Sequence, residues 1–314
     1  MYIDRAIRDA GKAPAAVAAG GPRAAFTLVE LMVVLVIIGI LASLTLAGLA
    51  GVRQRAKIEK TKSTIRKIDA VIQPMYESYL TRRVPVNSAN PQVAAATRLQ
   101  NIRTLMAAEM PDNWADATVS LASTPWALTP GPNRYRRMAQ ATSGHANLTT
   151  YQGGECLFMI VTLGGFDPWA IENFRNDEIG DIDGDGAKEF QDGWGRPIGF
   201  IRWPVGFTSL AQPQDPVANP DPFDPQKLSA QGNPAQADFG LVPLIFSPGP
   251  DEALNDPLNT QASGYGLTPG QAVIGKSLLS LRTAMEFLPG SLSDSAEAAT
   301  AVRDNITNHD LIKK

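Results

Sequence analysis

The chain has 314 residues, 44% of them hydrophobic and 19% charged, which excludes a disordered chain and leaves enough length for a real core. Its single cysteine, Cys156, excludes an internal disulfide and a cysteine-rich zinc site. The formal net charge of -3 is unevenly placed. Residues 1–25 hold four basic and two acidic residues, residues 53–67 hold seven basic residues and one acid, and residues 68–314 hold 17 basic and 27 acidic residues. So acidic a bulk argues against nucleic-acid binding and suits a hard cation such as calcium.

Taken in chain order, the first feature is apolar. Leu31–Val52 is a run of 22 residues without a charge. At 1.5 Å rise per residue it extends about 30 Å, the thickness of a bilayer core. It is longer than the apolar region of a cleaved secretory signal, and a basic leader rich in small residues precedes it. Glu30 stands at its edge. A carboxylate in hydrocarbon is costly and usually marks function; the alternative is an interfacial side chain reaching for water. Within the run, Gly39, Ser43, Ala47 and Gly51 recur every four residues. Such a small-xxx-small stripe lets helix backbones approach closely, although membrane helices often contain small residues.

The stretch Phe26-Thr27-Leu28-Val29-Glu30, behind a short basic leader and ahead of an apolar helix, resembles the cleavage and methylation motif of type IV pilins and type II secretion pseudopilins. The resemblance covers residues 23 to about 55. Ala25 stands where the family usually has Gly. The resemblance implies a leader over residues 1–25, removed between Ala25 and Phe26 by a prepilin peptidase that methylates the new amine. It also implies that Glu30 pairs with the N-terminal amine of a neighbouring subunit. Electrostatics favours this pairing: in low dielectric each charge alone is costly, and the pair attracts strongly. The helix-bending proline that many pilins carry near position 47 is absent here.

Residues 26–52 therefore read as a transmembrane or filament-core helix. Beyond Arg53, Ile58, Ile65, Ile68, Ile72, Met75 and Tyr79 fall mostly at steps of three, four or seven, which predicts an amphipathic continuation over residues 53–83. One helix from about Phe26 to about Leu80 follows, with Pro74 as a kink. Positive-inside counting would place the basic collar Arg53–Lys67 in the cytoplasm. The resemblance places the leader there and the domain outside, and that orientation is adopted.

Residues 84–314 then form the globular part. Residues 84–150 are rich in Ala, Pro, Asn and Thr and read as mostly loop, with a short helix over Asn101–Met110. Gly154–Gly164 is an apolar run that predicts a buried helix or strand. Pro197–Trp203 and Leu241–Phe246 predict strands, and residues 204–240 between them a long surface loop. Ser293 or Asp294 can cap a final helix to about Asn305. The fold class is α+β: a long N-terminal helix packed on a small antiparallel sheet, pilin-like, with large loop insertions.

Asp181, Asp183, Asp185, Glu189 and Asp192, with Gly186 and Ala187, occupy positions 1, 3, 5, 9, 12, 6 and 7 of an EF-hand-like loop. Alternating carboxylates around a glycine turn can wrap oxygens about calcium, Ala187 offering its carbonyl. The departures are Asp192 in place of the bidentate Glu, Lys188 in place of an apolar residue, and flanks that are not EF helices. A solvated Asp-Gly turn is the alternative. Asp192-Gly193-Trp194-Gly195-Arg196-Pro197 and Phe246-Ser247-Pro248-Gly249-Pro250-Asp251 resemble two segments of major pseudopilins, whose C-terminal loops bind calcium without a disulfide. Asp251, Asn255 and Asp256 are further ligands or turn residues.

The two histidines, His145 and His309, lie in polar surroundings and read as surface residues. There is no Gly-x-Ser-x-Gly, phosphate-binding glycine loop or His-Glu-x-x-His, so no enzymatic activity is expected. The five tryptophans read as core or loop-packing residues. The expectation is a structural subunit of a type II secretion pseudopilus or type IV pilus-like filament, in a single-pass bacterial inner-membrane precursor with its N-terminus cytoplasmic and its domain periplasmic. Its implied partners are copies of itself, other pseudopilins, the prepilin peptidase, the inner-membrane assembly platform and membrane lipid, without nucleic acid. The alternative is a non-polymerising, membrane-anchored, calcium-dependent binding protein.

Overall fold

The computed structural model describes residues 26–118, 130–142, 151–204, 207, 209–213, 215–230, 238–249 and 306–311. The chain divides into two units, Met1–Val52 and Arg53–Lys314. Helix α1, Leu28–Ser78, begins in the first and ends in the second. Its start is chemically defined. The Thr27 hydroxyl oxygen accepts the Glu30 N–H at 3.2 Å, and Glu30 Oε2 accepts the Thr27 N–H and O–H at 2.8 Å each. This is a reciprocal capping box, which satisfies donors that a helix start leaves orphaned.

The two parts of α1 differ as their sequences demand. Over Leu31–Leu46 the described side chains are exposed, with Leu35 at 60% and Ile38 at 56%. In the second unit Thr61, Thr64, Ile65, Ile68, Ile72, Met75 and Tyr79 are buried. That face follows from apolar residues at three- and four-residue steps. Pro74 lies inside the helix.

Residues 84–150 hold more helix than their composition suggests. Helix α2 runs Pro91–Glu109, ten residues earlier than the Asn101 start expected from sequence. Asn90 Oδ1 accepts from Gln92 N–H and Val93 N–H, and Pro91 takes the first helical position, a standard start arrangement. The Ala94-Ala95-Ala96 run favours helix rather than loop. Helix α3, Trp114–Thr118, and helix α4, Pro130–Thr142, follow. The mostly-loop expectation for this region is therefore corrected.

Helix α5, Gln152–Leu163, resolves the helix-or-strand ambiguity of the apolar run. Strands β1 (Ile179–Gly180) and β2 (Glu189–Phe190) form an antiparallel pair. Strands β3 (Gly199–Ile201), β4 (Leu244–Ser247) and β5 (Ile306–Thr307) form an antiparallel sheet in that order, with Phe200 opposite Ile245 and Ser247 opposite Ile306. A short helix α6, Asn308–Leu311, closes the described chain. Ile65, Ile72, Ile102, Met106, Leu157, Ile160, Phe190, Phe200 and Ile245 belong to one buried core. The architecture is α+β and consistent with a pilin-like fold.

Two expectations change here. Residues 204–240 are not simply a surface loop: Phe207, Phe223 and Phe239 are core residues, and Asp221, Asp224 and Asp238 are buried. His309 is not a surface residue. It is 4% exposed, its Nδ1 lies 2.7 Å from Ser209 Oγ, and its Nε2 lies 3.2 Å from the Val242 carbonyl. Burial holds its imidazole below the ordinary histidine range. The helix expected near residues 293–305, His145, Trp126 and the candidate ligands Asp251, Asn255 and Asp256 lie outside the described residues.

Candidate metal centre and the N-terminal motif

The acidic motif is the loop of a hairpin. Gly180 pairs with Glu189, so residues 181–188 connect β1 to β2. Each acid uses an oxygen to shape the loop. Asp181 Oδ1 and Oδ2 accept the N–H groups of Gly184 and Gly186 at 2.8 and 3.1 Å. Asp183 Oδ1 accepts from Asp185 N–H at 3.3 Å, and Asp185 Oδ1 from Ala187 N–H at 2.8 Å. Glu189 Oε2 accepts from Ile182 N–H at 3.0 Å. Gly186 has φ of +92°, a conformation that a side chain would strain.

Helix α5 supplies a further acid. A Cβ on Gly154 would lie 3.0 Å from the Ile198 carbonyl and 3.5 Å from Glu189 Cγ, so glycine lets the first turn of α5 press against the strands. The next residue, Glu155, is thereby carried into the loop. Ligand oxygens of Glu155, Asp183, Asp185 and Glu189 all lie within 4.8 Å of one another. Glu155 is 1%, Asp185 1% and Glu189 0% exposed. Trp114 Nε1–H donates to Glu155 Oε2.

Glu155 Oε1, Asp185 Oδ2 and Glu189 Oε1 are buried and receive no hydrogen bond from the described residues. Among those residues no ion pair reaches Glu155, Asp185 or Glu189. Burial, then the neighbouring Asp185 and Glu189, push the Glu155 carboxyl up to about 10 despite the Trp114 bond. Burial, reinforced by Asp183, Asp181 and Asp185, pushes Glu189 up to about 8. Asp183 is raised as well, by burial and then by Asp185. A buried acceptor costs free energy unless something positive or protic meets it. This cluster of oxygen donors has the composition of a hard-cation site.

The site differs from the loop expected by sequence spacing. Asp183, Asp185 and Glu189 come together, but the carboxylates of Asp181 and Asp192 are not in the group. Both Asp181 oxygens already hold backbone N–H groups. Asp192 Oδ1 accepts from Trp194 and Arg196 N–H at 2.7 and 3.0 Å, and its Oδ2 from the Ser247 hydroxyl at 2.7 Å. Asp192 thus joins the two segments that resemble pseudopilins. Gly193 N–H donates to Thr61 Oγ1 of α1 at 2.8 Å, which ties the same turn to the long helix. Glu155 escapes a spacing argument because it lies outside the loop. Its signal is a single acid after two glycines at the head of an apolar, core-bound segment.

The candidate assembly residues sit on the first part of α1, except Phe26, which lies two residues before it. Phe26 is 86% exposed. Gly39 and Gly51 have open space where a Cβ would project. Ser43 Oγ donates to the Ile40 carbonyl at 2.8 Å. Ala47 lies within the helix, and Ala25 lies outside the described residues. Among the described residues α1 is the one helix long and apolar enough to cross a membrane, which is compatible with a membrane anchor.

No curated protein and no solved structure matches the chain. The family described as "Prokaryotic N-terminal methylation motif" matches residues 22–46. That match spans Ala25, Phe26, Glu30, Gly39 and Ser43, and stops just short of Ala47. With the capping box at Thr27 and the exposed apolar helix behind it, the chain carries the N-terminal methylation motif typical of type IV pilins and pseudopilins.

Proposed function

We propose that the protein is a structural subunit of a type II secretion pseudopilus or a related type IV pilus-like filament. The observation that carries this reading is the methylation motif over residues 22–46 running directly into an apolar helix with exposed side chains. A prepilin peptidase cuts between Ala25 and Phe26 and methylates the new amine. Glu30 then pairs with the amine of a neighbouring copy, and the stripe Gly39, Ser43, Ala47 and Gly51 lets the helices pack closely. The precursor is a single-pass bacterial inner-membrane protein with a cytoplasmic N-terminus and a periplasmic domain. Its partners are further copies, other pseudopilins and the inner-membrane assembly platform. Its work is mechanical, with no catalytic step of its own.

The acidic centre fits calcium best. Calcium accepts several carboxylates at once, whereas magnesium tends to retain several waters and suits a dry carboxylate cage poorly. The ion takes the place of a disulfide in pinning the domain, whose lone cysteine is buried.

Mass spectrometry of the mature N-terminus tests the filament reading. In cells with an active prepilin peptidase the chain should begin at N-methylated Phe26. A chain beginning at Met1 there refutes the reading. Glu30→Ala should leave membrane insertion intact and abolish assembly. Normal insertion without polymerisation in the wild type would favour a membrane-anchored, calcium-dependent binding protein instead.

A further inference from the structure

We infer that Glu155 of α5 completes the ion site and that Trp114 holds it in place, so that a bound ion locks the β1–β2 loop onto the domain core. The inference rests on the calcium reading above and deepens it.

A self-contained EF-type loop takes its ligands from its own ends. Here neither end contributes an oxygen to the group. Asp181 accepts backbone N–H groups with both oxygens, and Asp192 accepts from Trp194, Arg196 and Ser247. The loop proper retains Asp183, Asp185 and Glu189. The fourth carboxylate comes from another element, as in sites that bridge a loop to a helix.

The two oxygens of Glu155 have separate duties. Oε2 accepts the indole N–H of Trp114, while Oε1 is buried and receives no hydrogen bond from the described residues. An indole N–H can only donate, so it fixes Oε2 as an acceptor, and Oε1 is the oxygen left without a donor among the described residues. Partners of this kind orient metal ligands from one shell out, and losing one typically costs 10–100-fold in metal affinity.

Trp114 is itself held. Its backbone N–H donates to Gln152 Oε1 at 3.2 Å, joining α3 to the first turn of α5. Asn113 Oδ1 accepts from Asp116 N–H at 2.8 Å, and Asp116 Oδ2 accepts from Arg202 at 2.7 Å. The position of the indole is therefore set by the core rather than by the loop. Trp114 is a positioning residue, and Glu155 is the ligand it positions.

The test uses the full chain in detergent, freed of metal by chelation and titrated with calcium chloride in a calorimeter. Glu155→Gln keeps the shape and the indole bond but removes the charge. Trp114→Phe keeps the ring but removes the donor. Each variant should bind calcium about 10–100-fold more weakly than wild type. Glu155→Gln should keep or exceed the wild-type chelator-state unfolding midpoint, which a merely structural role would lower, whereas Trp114→Phe should lower it because the buried Glu155 Oε2 loses its donor. Calcium should slow hydrogen exchange across residues 181–189 in wild type and do so far less in Glu155→Gln. If the phenylalanine variant fails to fold, the isosteric glutamine variant still decides the question. Wild-type affinity in Glu155→Gln overturns the inference and leaves the calcium reading standing. Absence of calcium binding by wild type overturns both.

Discussion

Around Arg202 and Arg103 the domain buries acids beside cations of its own; around Glu155 it gathers four carboxylates, and Glu155, Asp185 and Glu189 each keep a buried oxygen that receives no hydrogen bond from the described residues. Arg202 donates to Asp116 Oδ2 at 2.7 Å and to the Met110 carbonyl at 2.7 Å, and its backbone N–H donates to Asp112 Oδ2 at 3.1 Å. Arg103 bridges Asp221 and Asp238 at 2.7 and 2.9 Å. In both places the guanidinium fork meets acids at fixed geometry. At the 4.8 Å limit separating the ligand oxygens around Glu155, each ionised pair repels by about 3 kcal/mol at the effective dielectric of buried sites. The difference teaches what the second region needs. With no described cation beside them, Glu155 and Glu189 hold their protons above the ordinary carboxylate range.

The largest expected effect comes from making the first region resemble the second. Arg202→Met removes the guanidinium and leaves Asp112 and Asp116 buried without it. Burial already raises the Asp112 carboxyl, with Arg202 as the main opposing influence. Breaking a buried pair by removing one partner costs about 3–5 kcal/mol. Urea unfolding of the full chain in detergent should show a loss of that size, with calcium present or absent. A loss below about 1 kcal/mol would mean that the Arg202 pair is not the buried, desolvated kind.

The second effect has opposite signs in its two halves. Asp185→Asn removes one repelling charge from the acidic centre. Without metal, its unfolding midpoint should equal or exceed that of wild type. With calcium at about 100 times the dissociation constant, wild type should gain about 2.7 kcal/mol. The variant should lose most of that gain. The crossing is the diagnostic: an aspartate needed only for loop shape would lower stability under both conditions.

Much of this comparison is legible in the sequence, and the exceptions have physical causes. The apolar run of Leu31–Val52 and the three- and four-residue steps to Tyr79 specify α1 directly, because helical periodicity is written locally. The hairpin was half visible: the Asp-Gly spacing announced a loop, and Asp183, Asp185 and Glu189 do meet. Nothing local to the loop could place Glu155, whose role depends on how closely α5 approaches β2 and β3. Composition misled at α2, where Ala94, Ala95 and Ala96 sit among Pro, Asn and Thr, yet the Asn90-Pro91 start marked a helix. Phe207, Phe223 and Phe239 were hidden by polar neighbours. Their burial is decided by tertiary packing, which a window of sequence does not contain.

Glu178 lies between the two regimes and supplies the smallest effect. Its buried carboxylate accepts from Lys67 Nζ at 2.8 and 2.9 Å, from Thr64 Oγ1 at 2.7 Å and from Arg175 N–H at 2.8 Å. Burial alone would raise its pKa. The hydrogen bonds from Arg175, Lys67 and Thr64 outweigh burial and hold it below the ordinary 4.5. The folded state therefore binds this proton more weakly than the unfolded chain. Glu178 adds stability that is full above pH 4.5 and is lost as pH falls through its folded value. Without metal, Glu155 and Glu189 run the other way: their contribution is present below 4.5 and is lost as pH rises toward about 10 and about 8. Comparing Glu178→Gln with wild type in chelator cancels those shared terms. The variant should be less stable at neutral pH, by less than about 1 kcal/mol because the Lys67 side chain is 28% exposed. The gap should close as the solution is acidified below 4.5. A gap that stays constant on acidification would assign the loss to packing and would remove Glu178 from the acids that the chain neutralises by itself.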